Sequence, residues 1–141
     1  MILLHLNYLA VIVATLVYFG LGGLWYSVLF VKPWMAGHNI PAPTDADKEK
    51  TKKEMPRNFL ITFICCLLGT MALAYIETAL SMHGFLTTLK VAILATIFAS
   101  IGIALNHLYT GKKFKLFLID AGYQFVGLLF AACIYFFWIY R

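Results

Sequence analysis

The residues best suited to chemistry lie near the start of the last apolar segment, where Asp120, Tyr123 and Gln124 recur at helical spacing. Between Phe114 and Tyr140 the charged residues are Lys115 and Asp120. A carboxylate inside a hydrocarbon layer needs a cationic or hydrogen-bonding partner, or it takes up a proton. This stretch therefore predicts either a hydrogen-bonded polar cluster or a site for a proton or cation.

Two other apolar segments are predicted to bring polar and aromatic groups to the depth of Asp120. A short turn at Thr110–Lys112 makes the third and fourth segments antiparallel, which places Asn106 and His107 close to Asp120. The end of the first segment reaches the same level. We expect at least one neighbour to donate a hydrogen bond to Asp120. The predicted cluster has eight members: Trp25, Tyr26, Ser27, Asn106, His107, Asp120, Tyr123 and Gln124.

A second acid, Glu77, lies about 20 residues past Arg57 and therefore roughly 30 Å further along a helix. That distance places it near the opposite membrane surface, where His83 could face it. Acids at an interface are commonly solvated, and the functional alternative is a proton or cation site. Glu77 and His83 are therefore secondary site candidates.

Composition indicates an integral membrane protein. The chain is 62% hydrophobic and 12% charged, with a mean hydropathy of +0.86, whereas soluble domains average about 45–50% apolar and 25% charged residues. Each of four apolar runs is long enough to cross a bilayer. The sequence predicts an all-α bundle of four transmembrane helices with these spans: 6–31, 57–82, 87–109 and 114–140.

The polar segment 32–56 separates the first two spans. Within it, the run from Thr44 to Asp47 reads as a capping box that starts a short polar helix between helices one and two. The segment is too short to build its own core. Residues 1–141 are therefore predicted to form a single four-helix transmembrane domain.

The distribution of basic residues predicts the topology. Of the 11 lysines and arginines, Lys90 and Arg141 fall on one side, which leaves nine on the other. Loops rich in lysine and arginine stay in the cytoplasm. The polar loop is therefore predicted to be cytoplasmic, and both termini are predicted to lie on the opposite side of the membrane. The nine are Lys32, Lys48, Lys50, Lys52, Lys53, Arg57, Lys112, Lys113 and Lys115.

Small residues indicate where helices approach one another, because packing drives association in lipid. The predicted packing glycines are Gly20, Gly23, Gly69, Gly102 and Gly127. The three cysteines read as apolar fillers, since no CxxC spacing or nearby histidine indicates a metal site. We expect no metal, no cofactor and no nucleic-acid partner. The expected partners are the lipid bilayer and either a second copy of the chain or another membrane protein.

Several stretches resemble a family of small bacterial membrane proteins known as domain of unknown function 1761. They are Asn7-Tyr-Leu-Ala-Val, Gly22-Gly-Leu-Trp-Tyr-Ser27 with Trp34, and Asn106 followed by Lys115-Leu-Phe-Leu-Ile-Asp-Ala-Gly-Tyr123. The resemblance covers most of the chain and implies a bacterial four-helix protein with no assigned activity. It also implies that an amide is common at position 120, which favours hydrogen bonding as the shared role. In a bacterial cell the protein is predicted to lie in the inner membrane, with both termini in the periplasm.

Three classes of function remain open from the sequence. The first is a helix-bundle scaffold or assembly partner with a hydrogen-bonded cluster around Asp120. The alternative is a conduit or binder for a small solute, proton or cation that uses a cytoplasmic-side cavity at Asp120. A membrane enzyme is the third class, although no HExxH motif, Ser-His pair or phosphate loop is visible.

Overall fold

The computed structural model describes residues 6–41, 44–80 and 84–139, apart from the side chains of residues 45 and 46. The regular structure in these ranges is helical. A π-helical turn, Trp25–Leu29, follows the first of five α-helices: α1 (Tyr8–Leu24), α2 (Val31–Gly37), α3 (Asp45–Ala79), α4 (Phe85–Tyr109) and α5 (Phe114–Ile139).

Four of these segments are long and apolar enough to cross a membrane. They are Tyr8–Leu29, Asp47–Ala79, Phe85–Tyr109 and Phe114–Ile139. Most of their large leucine, isoleucine and phenylalanine side chains point away from the bundle, which suits a lipid environment. The predicted all-α fold with four transmembrane helices is thereby confirmed, and the chain is a multi-pass membrane protein.

Helix α5 is the centre of the bundle. It packs most extensively against α4 and α1, whereas α3 packs chiefly on α1 and touches α4 little. The helices therefore follow the spatial order α3, α1, α5, α4. Small side chains at the middle of the bundle, including Ala14, Ala131 and Ala132, let the helices come close.

The π-helical turn carries the chain from α1 into the short helix α2. The amide of Phe30 donates to the carbonyl of Trp25, five residues earlier, at 2.8 Å. This π-type spacing accommodates one more residue than an α-helical turn does. Helix α2 then packs on the start of α5, where Gly37 lies against Leu116. The chain thus folds back across the end of the bundle, which the sequence did not predict.

The polar helix predicted between the first two spans is not separate. It forms the first turns of α3, which runs unbroken for 35 residues and contains Pro56. The predicted capping box is present, because the Thr44 and Asp47 side chains each accept the other's backbone amide, at 3.3 and 3.0 Å. At about 1.5 Å per residue, α3 is roughly 52 Å long. It therefore extends beyond a hydrocarbon core of about 30 Å.

A tight turn joins α4 to α5. Gly111 has a φ of 65°, a left-handed conformation that glycine adopts without strain. The amides of Gly111 and Lys112 donate to the carbonyls of Leu108 and His107, at 3.2 and 2.9 Å, as in a Schellman motif. The turn places α4 and α5 antiparallel along their length, as the sequence predicted.

The predicted packing glycines behave differently from one another. A Cβ atom on Gly127 would lie 2.1 Å from the ring of Tyr18, so this glycine allows α1 and α5 to approach. The others have no contacting atom within 4 Å of such a Cβ: Gly20, Gly23, Gly69 and Gly102. Within the described chain these four are not needed for helix packing. A role for them in contacts with another chain stays a prediction.

Candidate functional site

A cavity of about 660 Å³ opens between α2, α4 and α5, below the π-helical turn. Its lining combines one carboxylate, two amides, two imidazoles and three larger aromatic rings. The lining residues are Tyr26, Trp34, His38, Gly102, Ile103, Asn106, His107, Asp120, Tyr123 and Gln124.

Asp120 is held by one residue on each side. The Tyr26 hydroxyl donates to Oδ1 at 2.9 Å, and Nε2 of His107 lies 3.2 Å from Oδ2. The side chain is 15% exposed. A carboxylate can accept about four hydrogen bonds, so Asp120 keeps capacity for a further donor.

His107 is nearly buried, and its Nδ1 has no hydrogen-bond partner among the described residues. Nε2 is therefore the ring nitrogen that can donate to Asp120. This contact fixes the position of the His107 ring beside the carboxylate.

Tyr123 and Gln124 are fixed by α1 and α3. The Tyr123 hydroxyl donates to the carbonyl of Tyr18 at 3.3 Å and lies 3.7 Å from the Cys66 sulfur. The Tyr18 hydroxyl in turn donates to the side-chain carbonyl of Gln124. Rings of Tyr18 and Tyr123 stack with centroids 5.2 Å apart. These contacts form a rigid inner wall for the cavity.

A chain of aromatic rings forms the opposite wall. Tyr26 meets Trp34 edge to face at 5.6 Å and meets Tyr123 in the same way at 5.3 Å. Trp34 also lies 4.5 Å from the ring of His38. Tilted and edge-to-face pairs are favourable because the positive edge of one ring meets the negative face of the next. They leave aromatic surface beside the Asp120 carboxylate.

His38 lies just past the end of α2 and outside the spans. Partial burial lowers its pKa, and the nearby Lys112 lowers it further, whereas Asp120 acts in the opposite direction. A lowered pKa favours the neutral form. The His38 ring is therefore an uncharged part of the wall at neutral pH.

The structure brings six of the eight predicted cluster residues to the cavity: Tyr26, Asn106, His107, Asp120, Tyr123 and Gln124. Trp25 is not among the lining residues. Its indole N–H donates to the carbonyl of Ile119 at 3.0 Å, and its ring packs on Gly122. Ser27 is exposed and lies outside the lining.

Sequence reasoning missed Trp34 and His38 and assigned Gly102 to packing alone. Trp34 and His38 are four residues apart and so share a helical face, but nothing local shows that α2 folds back onto α5. No group of three metal-ligating side chains occurs in the described ranges.

The secondary candidates have different outcomes. The sequence favoured a solvated, interfacial Glu77, whereas the structure buries its side chain to 6% exposure. Its Oε1 atom has no hydrogen-bond partner among the described residues. His83 lies outside the described residues, so the proposed facing of Glu77 and His83 stays a prediction.

The fold is that of a multi-pass helical membrane protein, and polar residues at one end, including Asp120, border an open cavity. Residues 9–136 match the family described as "Protein of unknown function (DUF1761)", and the chain belongs to this family. The family resemblance noted in the sequence is thereby confirmed. Neither a curated protein nor a solved structure matches the chain.

Proposed function

We propose that this protein binds a small organic cation of the ammonium type in the cavity at Asp120. The observation that carries the proposal is the pairing of a carboxylate with an aromatic wall. Asp120 supplies the negative charge, and Tyr26 and Trp34 supply the rings. This combination suits a ligand that is positively charged and partly apolar.

Charge in the lining supports a cation. Asp120 is accompanied there by no lysine or arginine of the described chain. His38 is uncharged at neutral pH, for the reasons given above. Attraction between opposite charges is stronger in such a partly buried site than in water, because the effective dielectric constant is lower.

Hydrogen-bond acceptors support a donor group on the ligand, either an N–H or an O–H. Asp120 already accepts from Tyr26 and faces His107, and it keeps lone pairs for another donor. Asn106, whose side chain carries a further acceptor, is also a lining residue. A cation over the ring of Trp34 would add about 0.5–2 kcal/mol.

Choline provides a direct test, because its uncharged analogue carries carbon in place of nitrogen and has nearly the same shape. Calorimetric titration of the purified protein is expected to show at least about tenfold tighter binding of choline, or about 1.4 kcal/mol. Asp120→Asn should remove this preference. Glu49→Gln, on the exposed first turns of α3, is the control and should retain it. Equal affinity for the two compounds would contradict the proposal.

An assembly role is a second candidate, favoured by the open glycines. The space beside Gly69 belongs to a groove of about 460 Å³ that includes Ala95 and Ala99 and lies where α3 and α4 diverge. Small residues in such a groove admit another helix in lipid. Gly69→Leu should then reduce assembly size in native nanodiscs. An unchanged size would argue against this role.

A further inference from the structure

A second ionisable group lies at the end of the bundle opposite the Asp120 cavity. Glu77, near the end of α3, is 6% exposed, and its Oε1 atom has no hydrogen-bond partner in the described part of the chain. Thr88, in the first turn of α4, is fully buried, and its hydroxyl also has no hydrogen-bond partner among the described residues. Two buried oxygen groups are thus left unsatisfied.

Helix register places these two groups at one level. Leu73 of α3 and Ala92 of α4 belong to the same core cluster. Glu77 follows Leu73 by one helical turn, and Thr88 precedes Ala92 by one turn. Because consecutive spans run in opposite directions, both steps lead toward the same end of the bundle.

The other titratable groups that the structure describes around Glu77 do not neutralise it. On α5, Cys133 is within electrostatic range of Glu77, and Tyr135 is already bonded to Thr78 at 3.0 Å. Lys90 on α4 is exposed. Tyr8 on α1 is 51% exposed. No described cation therefore pairs with the Glu77 carboxylate.

We propose that Glu77 is a reversible proton-binding site, with the Thr88 hydroxyl at the same level of the bundle. A carboxylate that is buried without a cation or donor is disfavoured, and binding a proton removes the charge. The protonated group also gains an O–H that can donate to a hydroxyl oxygen. Ionisable residues at such positions in membrane helices often carry protons.

This site is separate from the Asp120 cavity. Apolar side chains of the central core cluster lie between the two acids along the bundle, including Ala14, Leu73 and Ala131. The inference does not rest on binding of an organic cation, since it uses different residues. Failure of the choline experiment would leave it intact.

Reaction with dicyclohexylcarbodiimide tests the proposal in native membranes. This apolar reagent partitions into the bilayer, and a carboxylic acid adds its O–H across one C=N bond. The product rearranges to a stable N-acylurea that retains every atom of both reactants. Peptide mass spectrometry is expected to find the adduct on Glu77 at neutral pH and its loss at alkaline pH. The exposed Glu49 on the same helix is the internal control and should stay unmodified.

Two further measurements complete the test. Glu77→Gln should abolish labelling, and Thr88→Val should shift the pH at which labelling is lost, because the hydroxyl at the same level is removed. Absence of the adduct on wild-type Glu77 at acidic, neutral and alkaline pH would overturn the proposal, whether or not the variants fold. Protection by sodium ions at constant pH would also overturn it, since the occupant would then be a metal cation.

Discussion

Asp120 has two separable properties, the hydrogen-bond contacts that it makes with Tyr26 and His107 and its negative charge. An asparagine at this position can still accept from Tyr26 through its carbonyl oxygen. Leucine cannot, and it would leave Tyr26 and His107 without their shared partner. The two substitutions therefore separate hydrogen bonding from charge.

We expect Asp120→Asn to fold with nearly unchanged stability and Asp120→Leu to lose about 1–3 kcal/mol, the usual result of unpairing buried polar groups. Denaturation of both variants in the same detergent measures the difference. Equal stability of the leucine variant and the wild type would show that the hydrogen bonds to Asp120 do not support the bundle.

His38 gives cation binding a defined pH dependence. Its pKa lies below the ordinary value of 6.5, so choline affinity should be nearly constant at pH values well above 6.5. Further acidification places a positive charge in the wall and should weaken binding. In His38→Gln this decline should be smaller, because the ring that gains the charge is absent. Titrations at several pH values would show this, and identical profiles for both proteins would exclude the effect.

Much of the candidate site followed from the sequence because its residues lie on long helices of known period. Asp120, Tyr123 and Gln124 share a face of α5, and the turn at Gly111 sets the depth of His107. Trp34 depends instead on the π-helical turn and on the direction of α2. Those features arise from packing between distant segments, which no local pattern encodes.

At the scale of elements, the contact between α1 and α5 is tightest at Gly127, which has no side chain. Tyr18 occupies the space beside Gly127, and it cannot easily withdraw because it stacks on Tyr123 and bonds Gln124. Gly23 is on the same helix as Tyr18 and has open space around it. The pair of glycines is therefore a matched comparison.

Gly127→Ala should destabilise the bundle by about 1–3 kcal/mol through overpacking. Gly23→Ala should be neutral or stabilising in the monomer, because alanine favours helix by about 1 kcal/mol. Thermal unfolding in detergent distinguishes the two. Similar melting temperatures for both variants would mean that Tyr18 moves aside at little cost.

Helix α3 shows a different limit of sequence reasoning. The boundary predicted between the polar helix and the second span falls at Pro56, yet Pro56 lies inside one continuous helix. A proline within a helix removes one hydrogen bond and bends the axis, but it does not always end the helix. The capping box at Thr44 was predictable because it is local, whereas the continuity depends on many later residues.

At the scale of the whole molecule, the charge distribution predicts the orientation of both sites. The Asp120 cavity lies at the end that carries Lys112 and Lys113, and Glu77 lies at the other end. Since loops rich in lysine and arginine stay in the cytoplasm, we expect the cavity to open toward the cytoplasm. Glu77 should then lie near the opposite membrane surface.

A reporter fused after Arg141 would test this orientation. Alkaline phosphatase, which is active outside the cytoplasm, should be active there, and green fluorescent protein routed through the same export path should stay dark. Fusions after Gly111 serve as the opposite control. Activity of a cytoplasmic reporter fused after Arg141 would show that the chain has the reverse of the predicted orientation in the membrane.

The central position of α5 also has a consequence for biogenesis. Tyr18, Trp25, Tyr26, Thr78 and His107 all find their hydrogen-bond or ion-pair partner on this helix. The ribosome makes α5 after α1, α3 and α4, so those groups enter the membrane before their partners exist. We therefore expect the polar faces of the first three spans to stay shielded from lipid until the last span arrives.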